Sequence, residues 1–268
     1  MMTTAPVLRL AGVSVRRGGR TILGPIDWLV ARGERWVIVG PNGAGKTTLV
    51  QVASTYLWPT TGSVEVLGSR IGHVDSRELR LRIGYEGSGL ERSIPDELSA
   101  HEVVVTARHA ALGPWWHAFD EDDHARADQL LERLGIGAVA ERSFGLLSAG
   151  ERRRVQIARA LMPGPDLLLL DEPSASLDLG AREMLVRDLD RLATDETLPA
   201  IVMVTHHVEE IPTGFGHALV LADGVAVAAG PIATTLDGPV LSRAFGVPIR
   251  VGRDDGRVWA RLDRGSGG

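Results

Sequence analysis

The sequence contains no cysteine, which excludes a disulfide scaffold, a zinc-thiolate centre and a thiol nucleophile. Lysine is almost as scarce: of 29 basic side chains 28 are arginine and one is lysine, Lys46. The two are not interchangeable where a compact amine must reach a phosphate, so the single lysine singles out its position. Positive charge is not in excess either. Against 34 acidic residues the formal net charge is −5, and a pI of about 5.9 argues against a duplex nucleic-acid binder, whose affinity rests on phosphate neutralisation. No apolar run approaches the roughly 18 residues of a membrane helix, and Met1 to Pro6 lacks the basic and apolar regions of a secretory signal. An apolar fraction of 44% over 268 residues suffices for a sizeable core. The expectation is a soluble, cytoplasmic globular protein of one large domain, or a domain with a subdomain.

Along the chain, Val7 to Leu10 and Val13 to Val15 predict short strands before a turn at Gly18-Gly19. Trp36 to Val39, Leu167 to Leu170 and Ile201 to Val204 are continuous apolar runs, which suit the buried middle of a parallel sheet. Helical spacing follows at Thr47 to Thr55, Val155 to Leu161 and Ala181 to Leu192. Between about Ser88 and Arg142 the character changes. Glu102 to Ala111 and His124 to Leu134 read as helices, and Asp120-Glu-Asp-Asp123 places acid in a first turn, where it suits the helix dipole. The sequence Leu219-Val-Leu-Ala-Asp-Gly-Val-Ala-Val predicts a hairpin with its turn at Asp223-Gly224. The tail from Pro231 carries little pattern, and no internal repeat is present. The fold class is α/β: an open sheet with a phosphate loop and an inserted helical subdomain.

The strongest chemical signal is Gly40-Pro41-Asn42-Gly43-Ala44-Gly45-Lys46-Thr47-Thr48, which satisfies G-x-x-x-x-G-K-[ST] between an apolar strand and a helix. Glycines at 40, 43 and 45 let backbone N–H groups turn around a phosphate chain, and the helix N-terminus adds partial positive charge. Lys46 can reach the β- and γ-phosphates, and the Thr47 hydroxyl is placed to hold Mg²⁺. The run Leu167 to Leu170 ends in Asp171-Glu172, which sets two acids at the carboxyl edge of the sheet. Asp171 can hold Mg²⁺ through water and Glu172 can polarise an attacking water. In Leu147-Ser148-Ala149-Gly150-Glu151, Ser148 and Glu151 form a capping box, and a capped helix N-terminus is itself an anion site.

These three elements, in this order, resemble the ATP-binding subunits of ABC transporters over roughly residues 7 to 235. The phosphate loop resembles the family's Walker A, Leu167 to Glu172 its Walker B, and Leu147 to Glu151 its signature motif. Ser174-Ala-Ser-Leu-Asp178 is similar to the D-loop, and His206 stands where the family has its switch histidine, with His207 beside it. The resemblance implies a P-loop NTPase sheet with an N-terminal antiparallel β subdomain and a helical subdomain at about 88–160. The cassette would span 1–235, with a partly flexible C-terminal extension at 236–268. It also implies that two cassettes, in a homodimer or with a second cassette, pair head to tail. ATP would then lie between one phosphate loop and the other chain's Ser148 and Gly150, with Asp178 at the same interface and His206 on the γ-phosphate. Separate transmembrane permease subunits would be the partners, with no nucleic acid, at the inner face of the membrane. Trp115-Trp116 is a candidate contact for them.

Three features depart from the family pattern. The signature reads LSAGE rather than LSGGQ, where Ala149 adds only a methyl and Glu151 keeps the cap. Ser88 stands at the Q-loop glutamine position, so its Mg²⁺ contact would be direct from a shorter hydroxyl or through water. Arg17, or Arg16 one step away, stands where an aromatic stacks on adenine; a guanidinium plane can also stack on a base. Arg152-Arg-Arg154 reads as a solvated helix face. A single cassette with a substantial sequence after His206 resembles importers of metal complexes or similar solutes. The alternatives are an ABC-type ATPase acting on ribosomes or DNA, and a weakly hydrolysing regulatory ATP-binding module.

Overall fold

The computed structural model describes residues 5–87, 94–109 and 118–264. Two sheets carry the molecule. Strands β1 (Leu8–Arg17), β2 (Arg20–Val30), β4 (Thr61–Val66) and β5 (Ser69–Arg70) form an antiparallel sheet in the order β2-β1-β4-β5. The two short strands expected before Gly18 are one bulged strand, because Gly12 adopts φ 58° and keeps its N–H satisfied by Asp27 at 2.8 Å.

The second sheet runs β10-β9-β3-β8-β7-β6, from β3 (Arg35–Val39), β6 (Ile83–Glu86), β7 (Leu167–Asp171), β8 (Ala200–Thr205), β9 (His217–Ala222) and β10 (Val225–Pro231), with the short helix α2 (Ser76–Arg80) leading into β6. All neighbours are parallel except β9 and β10, the expected hairpin. Its turn residues Asp223 and Gly224 take φ 49° and 79°, as a tight turn matching the strand twist requires. The uninterrupted apolar runs are explained by two cores, one on each face. Trp36, Ile38, Leu167, Leu169, Val202 and Val204 point to one, shared with the antiparallel sheet and α1 (Lys46–Ala53). Val37, Val39, Leu168, Leu170, Ile201 and Met203 point to the other, shared with the remaining helices.

That second core extends into the insertion, built from α3 (Ala100–Val105), α4 (Glu121–Arg133) and α5 (Ala149–Leu161). The helix expected to reach Ala111 leaves α geometry after Val105 and continues as a 3-10 turn, Thr106–His109. Asp120 is the N-cap of α4, accepting from Asp123 N at 2.8 Å, with three acids in its first turn. Arg153 and Arg154 are buried, which corrects the solvated face expected of Arg152 to Arg154. Arg153 pairs with Glu86 at the end of β6, and Arg154 lies 3.4 Å from Asp188, which is fully buried on α6 (Leu179–Thr194). The pairing is what allows the charges inside. Beyond β10, the patternless tail forms α7 (Ile232–Thr235), α8 (Gly238–Phe245) and a hairpin of β11 (Ile249–Asp254) and β12 (Arg257–Leu262). Leu236, Leu241 and Val258 bury this tail in the second core.

Candidate functional site

Strands β3, β7 and β8 are adjacent and parallel, so their carboxyl ends lie side by side, and the chemically suggestive residues leave from those ends. Residues 40–45 follow β3. Gly43 and Gly45 take φ 82° and 93°, a region costly for side chains, and a Cβ at Gly40 would meet the Leu221 carbonyl oxygen at 2.1 Å. Gly45 is the N-cap of α1 and no side chain caps that helix, so its first N–H groups are left to face a ligand.

Lys46 is buried, with Nζ donating to the carbonyls of Gly40 at 2.8 Å and Pro41 at 3.0 Å. The ammonium therefore lies folded into the mouth of the loop, 3.8 Å from Glu172 Oε1. Burial holds its pKa below the usual lysine value, an effect that Glu172 and Asp171 oppose. Thr47 Oγ1 donates to Asp171 Oδ1 at 3.4 Å. Burial, with Glu172 beside it, pushes the Asp171 carboxyl above the ordinary aspartate range, while Thr47 and Lys46 pull it down. A desolvated carboxylate beside a hydroxyl is a hard-oxygen donor set that fits a small divalent cation.

Glu172 leaves β7 in the left-handed region, φ 53°, and is tied to β8 by its N–H donating to Val204 O at 3.1 Å. A non-glycine residue held there needs support from its surroundings. The same conformation brings Glu172 Oε1 to 3.3 Å from His206 Nδ1, although the pair is not aligned as a hydrogen bond. His207 is exposed, with its backbone N–H on Thr205 Oγ1 at 3.0 Å. Of the two histidines, His206 is the one beside the glutamate.

A groove of about 400 Å³ is lined by Asn42, Gly43, Gly45, Lys46, Thr47, Thr48, Glu172 and Ile22. Ile22 is the apolar wall that sequence reading missed; only its position opposite Gly45, in contact range through its carbonyl, reveals it. Arg17 is exposed at the end of the β1–β2 hairpin, opposite Arg20, and is not among the lining residues. Arg16 donates to the Gly19 carbonyl at 3.3 Å and so is engaged in the turn.

Ser148 and Gly150 lie elsewhere. Ser148 caps α5 with the full capping box, the Glu151 side chain accepting from Ser148 N at 2.8 Å. Gly150 is buried where a Cβ would meet the Ala181 Cβ at 3.0 Å, so α5 and α6 approach closely only with glycine there. Asp178 caps α6, accepting from Ala181 N at 2.8 Å. None of the three lines the groove around Lys46. Ser88 and Trp115-Trp116 lie outside the described residues. Sequence reading also passed over Glu210, which is buried although it follows the exposed Glu209; the buried Val208 and Ile211 on either side of the acid pair are the only local signal.

Comparison with known proteins agrees with this geometry. The family described as "ABC transporter" matches residues 23–175. The "Uncharacterized ABC transporter ATP-binding protein YlmA" of Bacillus subtilis (strain 168) is 40% identical over 246 residues, 91% of this chain and 93% of that one. The "Hemin import ATP-binding protein HmuV" of Rhodococcus jostii (strain RHA1) is 35% identical over 254 residues, covering 92% and 82%. Among solved structures, the dimeric post-hydrolysis state of the ATP-binding cassette MJ0796, bound to ADP and Pi, superposes with a TM-score of 0.70 at 25% identity, covering 84% of this chain and 98% of that one.

Proposed function

The chain belongs to the ABC transporter family as the ATP-binding, ATP-hydrolysing subunit that drives solute transport, and from that premise we propose how its own residues do this. The observation that carries the reading is the convergence of Lys46 Nζ, the Glu172 carboxylate and the His206 imidazole at the uncapped start of α1. The backbone of residues 40 to 48 wraps the phosphate chain of ATP, and Lys46 neutralises its terminal oxygens. Thr47 and Asp171 would hold Mg²⁺, which would supply charge neutralisation on the phosphate chain. Glu172 accepts a proton from the attacking water, and His206 orients that water on the γ-phosphate. Arg17, free at its hairpin end, offers its guanidinium plane to adenine beyond Ile22.

The site is completed across a dimer, in which Ser148, Gly150 and Asp178 of one cassette close on the phosphate loop of the other. Two features support this. The capped N-terminus of α5 is exposed and anion-favouring, and it is absent from the groove around its own Lys46. A γ-phosphate bridging two chains makes closure depend on ATP and opening on hydrolysis. The partner chain is a second copy or a second cassette.

No helix among the described residues is long and apolar enough to cross a membrane. The subunits it drives are separate transmembrane permeases, on which it docks from the cytoplasmic face; the relatives named as transporter ATP-binding and import ATP-binding proteins support this reading. A groove between β6 and α5, with Tyr56 and Leu81 both exposed on its wall, supports docking on that side. The likeness to a hemin import subunit supports import of a solute. We assign residues 1–235 to the cassette, with the helical subdomain at about 88–160, and 236–268 to an extension.

Two experiments test this. ATP turnover should fall by about 10²- to 10³-fold in Glu172→Gln while ATP binding persists; equal rates in wild type and variant overturn the hydrolytic assignment. Purification from membranes should recover a polytopic partner, and recovery of ribosomal proteins instead overturns the transport assignment.

A further inference from the structure

The 3-10 turn Val208–Glu210 begins two residues after His206, and three parts of the chain hold it. On its inner side, Glu210 is buried and accepts through Oε2 from Ser174 Oγ at 2.6 Å and Thr205 Oγ1 at 2.5 Å. Arg182 Nη1 lies 3.8 Å from its other oxygen. Ser174 follows Glu172 by two residues and Thr205 immediately precedes His206, so one carboxylate ties together both segments that carry the pair. Charge-assisted bonds of this kind are strong where water is excluded.

On the outer side stands the C-terminal hairpin. Ala260 N donates to Glu209 Oε1 at 3.1 Å. Arg257 donates to the Glu209 carbonyl oxygen and, in a fork, to both carboxylate oxygens of Glu183 on α6. Val258 is buried in the core that also holds Val208. A two-stranded hairpin has marginal stability by itself. Here Ile249 and Arg253 of β11 are anchored on α8 and α7, while Arg257 and the Ala260 amide of β12 reach the turn that follows the histidine. Glu172 meanwhile sits in a left-handed backbone that needs outside support.

We propose that the hairpin β11–β12 is a clamp on the 208–210 turn, and that Arg257 and Glu210 are positioning residues that hold His206 beside Glu172 during hydrolysis. This rests on the assignment of His206 and Glu172 to hydrolysis made above. The two act through others, since neither lines the groove around Lys46. Releasing either side of the turn frees His206 to drift from Glu172, and a misplacement of about 1 Å can cost a large factor in rate.

The test uses the full chain and its ATP turnover, with Arg257→Gln, Arg257→Lys, Glu210→Gln and His206→Gln. Arg257→Gln should lower kcat roughly tenfold with KM for Mg-ATP unchanged, because the phosphate loop is untouched. Arg257→Lys should recover part of the loss, and Glu210→Gln should reproduce it. In a His206→Gln background, Arg257→Gln should cause no further fall, since no imidazole remains to be placed. An equal further fall in that background, or KM rising in proportion to the loss of kcat, overturns the clamp in favour of a general structural role. Wild-type turnover in Arg257→Gln beside a collapse in His206→Gln overturns the clamp alone. Wild-type turnover in His206→Gln overturns the hydrolytic assignment, and the clamp with it.

Discussion

The groove at the start of α1 and the paired N-termini of α5 and α6 are both anion-favouring ends of helices, yet they are built in opposite ways. Helix α1 has no side-chain cap, and its donors face a groove surrounded by Lys46, Thr47 and Glu172. Helices α5 and α6 are each capped by one side chain, Ser148 and Asp178, and those caps are exposed. The first end has no acid of its own in its first turn and faces the pair Asp171-Glu172 at the end of β7. The second has one donor of each helix capped and presents the remaining first-turn N–H groups at an exposed surface, with Gly150 bringing the two helices together. The contrast is what the proposed dimer requires: one end to hold the chemistry, and a second, separate end that a partner chain can bring to the same phosphates.

The sharpest way to break this comparison is to cripple each end in a separate chain. Lys46→Ala and Ser148→Arg should each abolish ATP turnover as pure homodimers. Mixed in equal amounts and allowed to exchange, they should recover roughly a quarter of wild-type turnover, because each mixed dimer retains one intact composite site. Recovery of nothing means that both ends serve the same chain's nucleotide.

A smaller effect sharpens the description of the first end. Lys46 carries the only side-chain amine of the protein. Because burial lowers its pKa, it should become reactive to an acylating reagent below the ordinary lysine value of 10.5. Saturating Mg-ATP should slow the labelling about tenfold or more, as the amine is then held on phosphate. Mass spectrometry of the labelled peptide reads both, and labelling indifferent to nucleotide contradicts the site.

The smallest effect concerns what stands behind the pair. Arg257 holds the Glu183 carboxyl below the usual glutamate value of 4.5. A depressed acid stabilises the fold above its unfolded value and loses that contribution as pH falls through the folded one. Hydrogen exchange of the β11–β12 amides should therefore accelerate at acid pH below 4.5, more steeply in wild type than in Arg257→Gln. The pair is partly exposed, so the change is modest.

Where backbone and side chain answer to near neighbours, sequence reading was sufficient. The glycines around Lys46, the capping box at Ser148, the acidic first turn after Asp120 and the Asp223-Gly224 turn are each dictated by residues a few positions apart. The apolar runs of β3, β7 and β8 likewise announce burial on two sides. Arg153 and Arg154 were misread because local charge suggests solvent, and their partners Glu86 and Asp188 lie 67 and 34 residues away. Glu210 was invisible for the same reason, its main partner Ser174 being 36 residues distant.

The amino-acid sequence by itself determined the phosphate loop, the apolar strands β3, β7 and β8, the hairpin turn at Asp223-Gly224 and the capping box of α5. Those follow from periodicity, glycine freedom and short-range capping, which act within a few residues. Only the tertiary structure decided that His206 rather than His207 meets Glu172, that Ile22 walls the groove, and that a hairpin from the patternless tail grips the turn beside the histidine. These depend on which strands lie side by side, and that is settled by the burial of two whole cores rather than by any local segment.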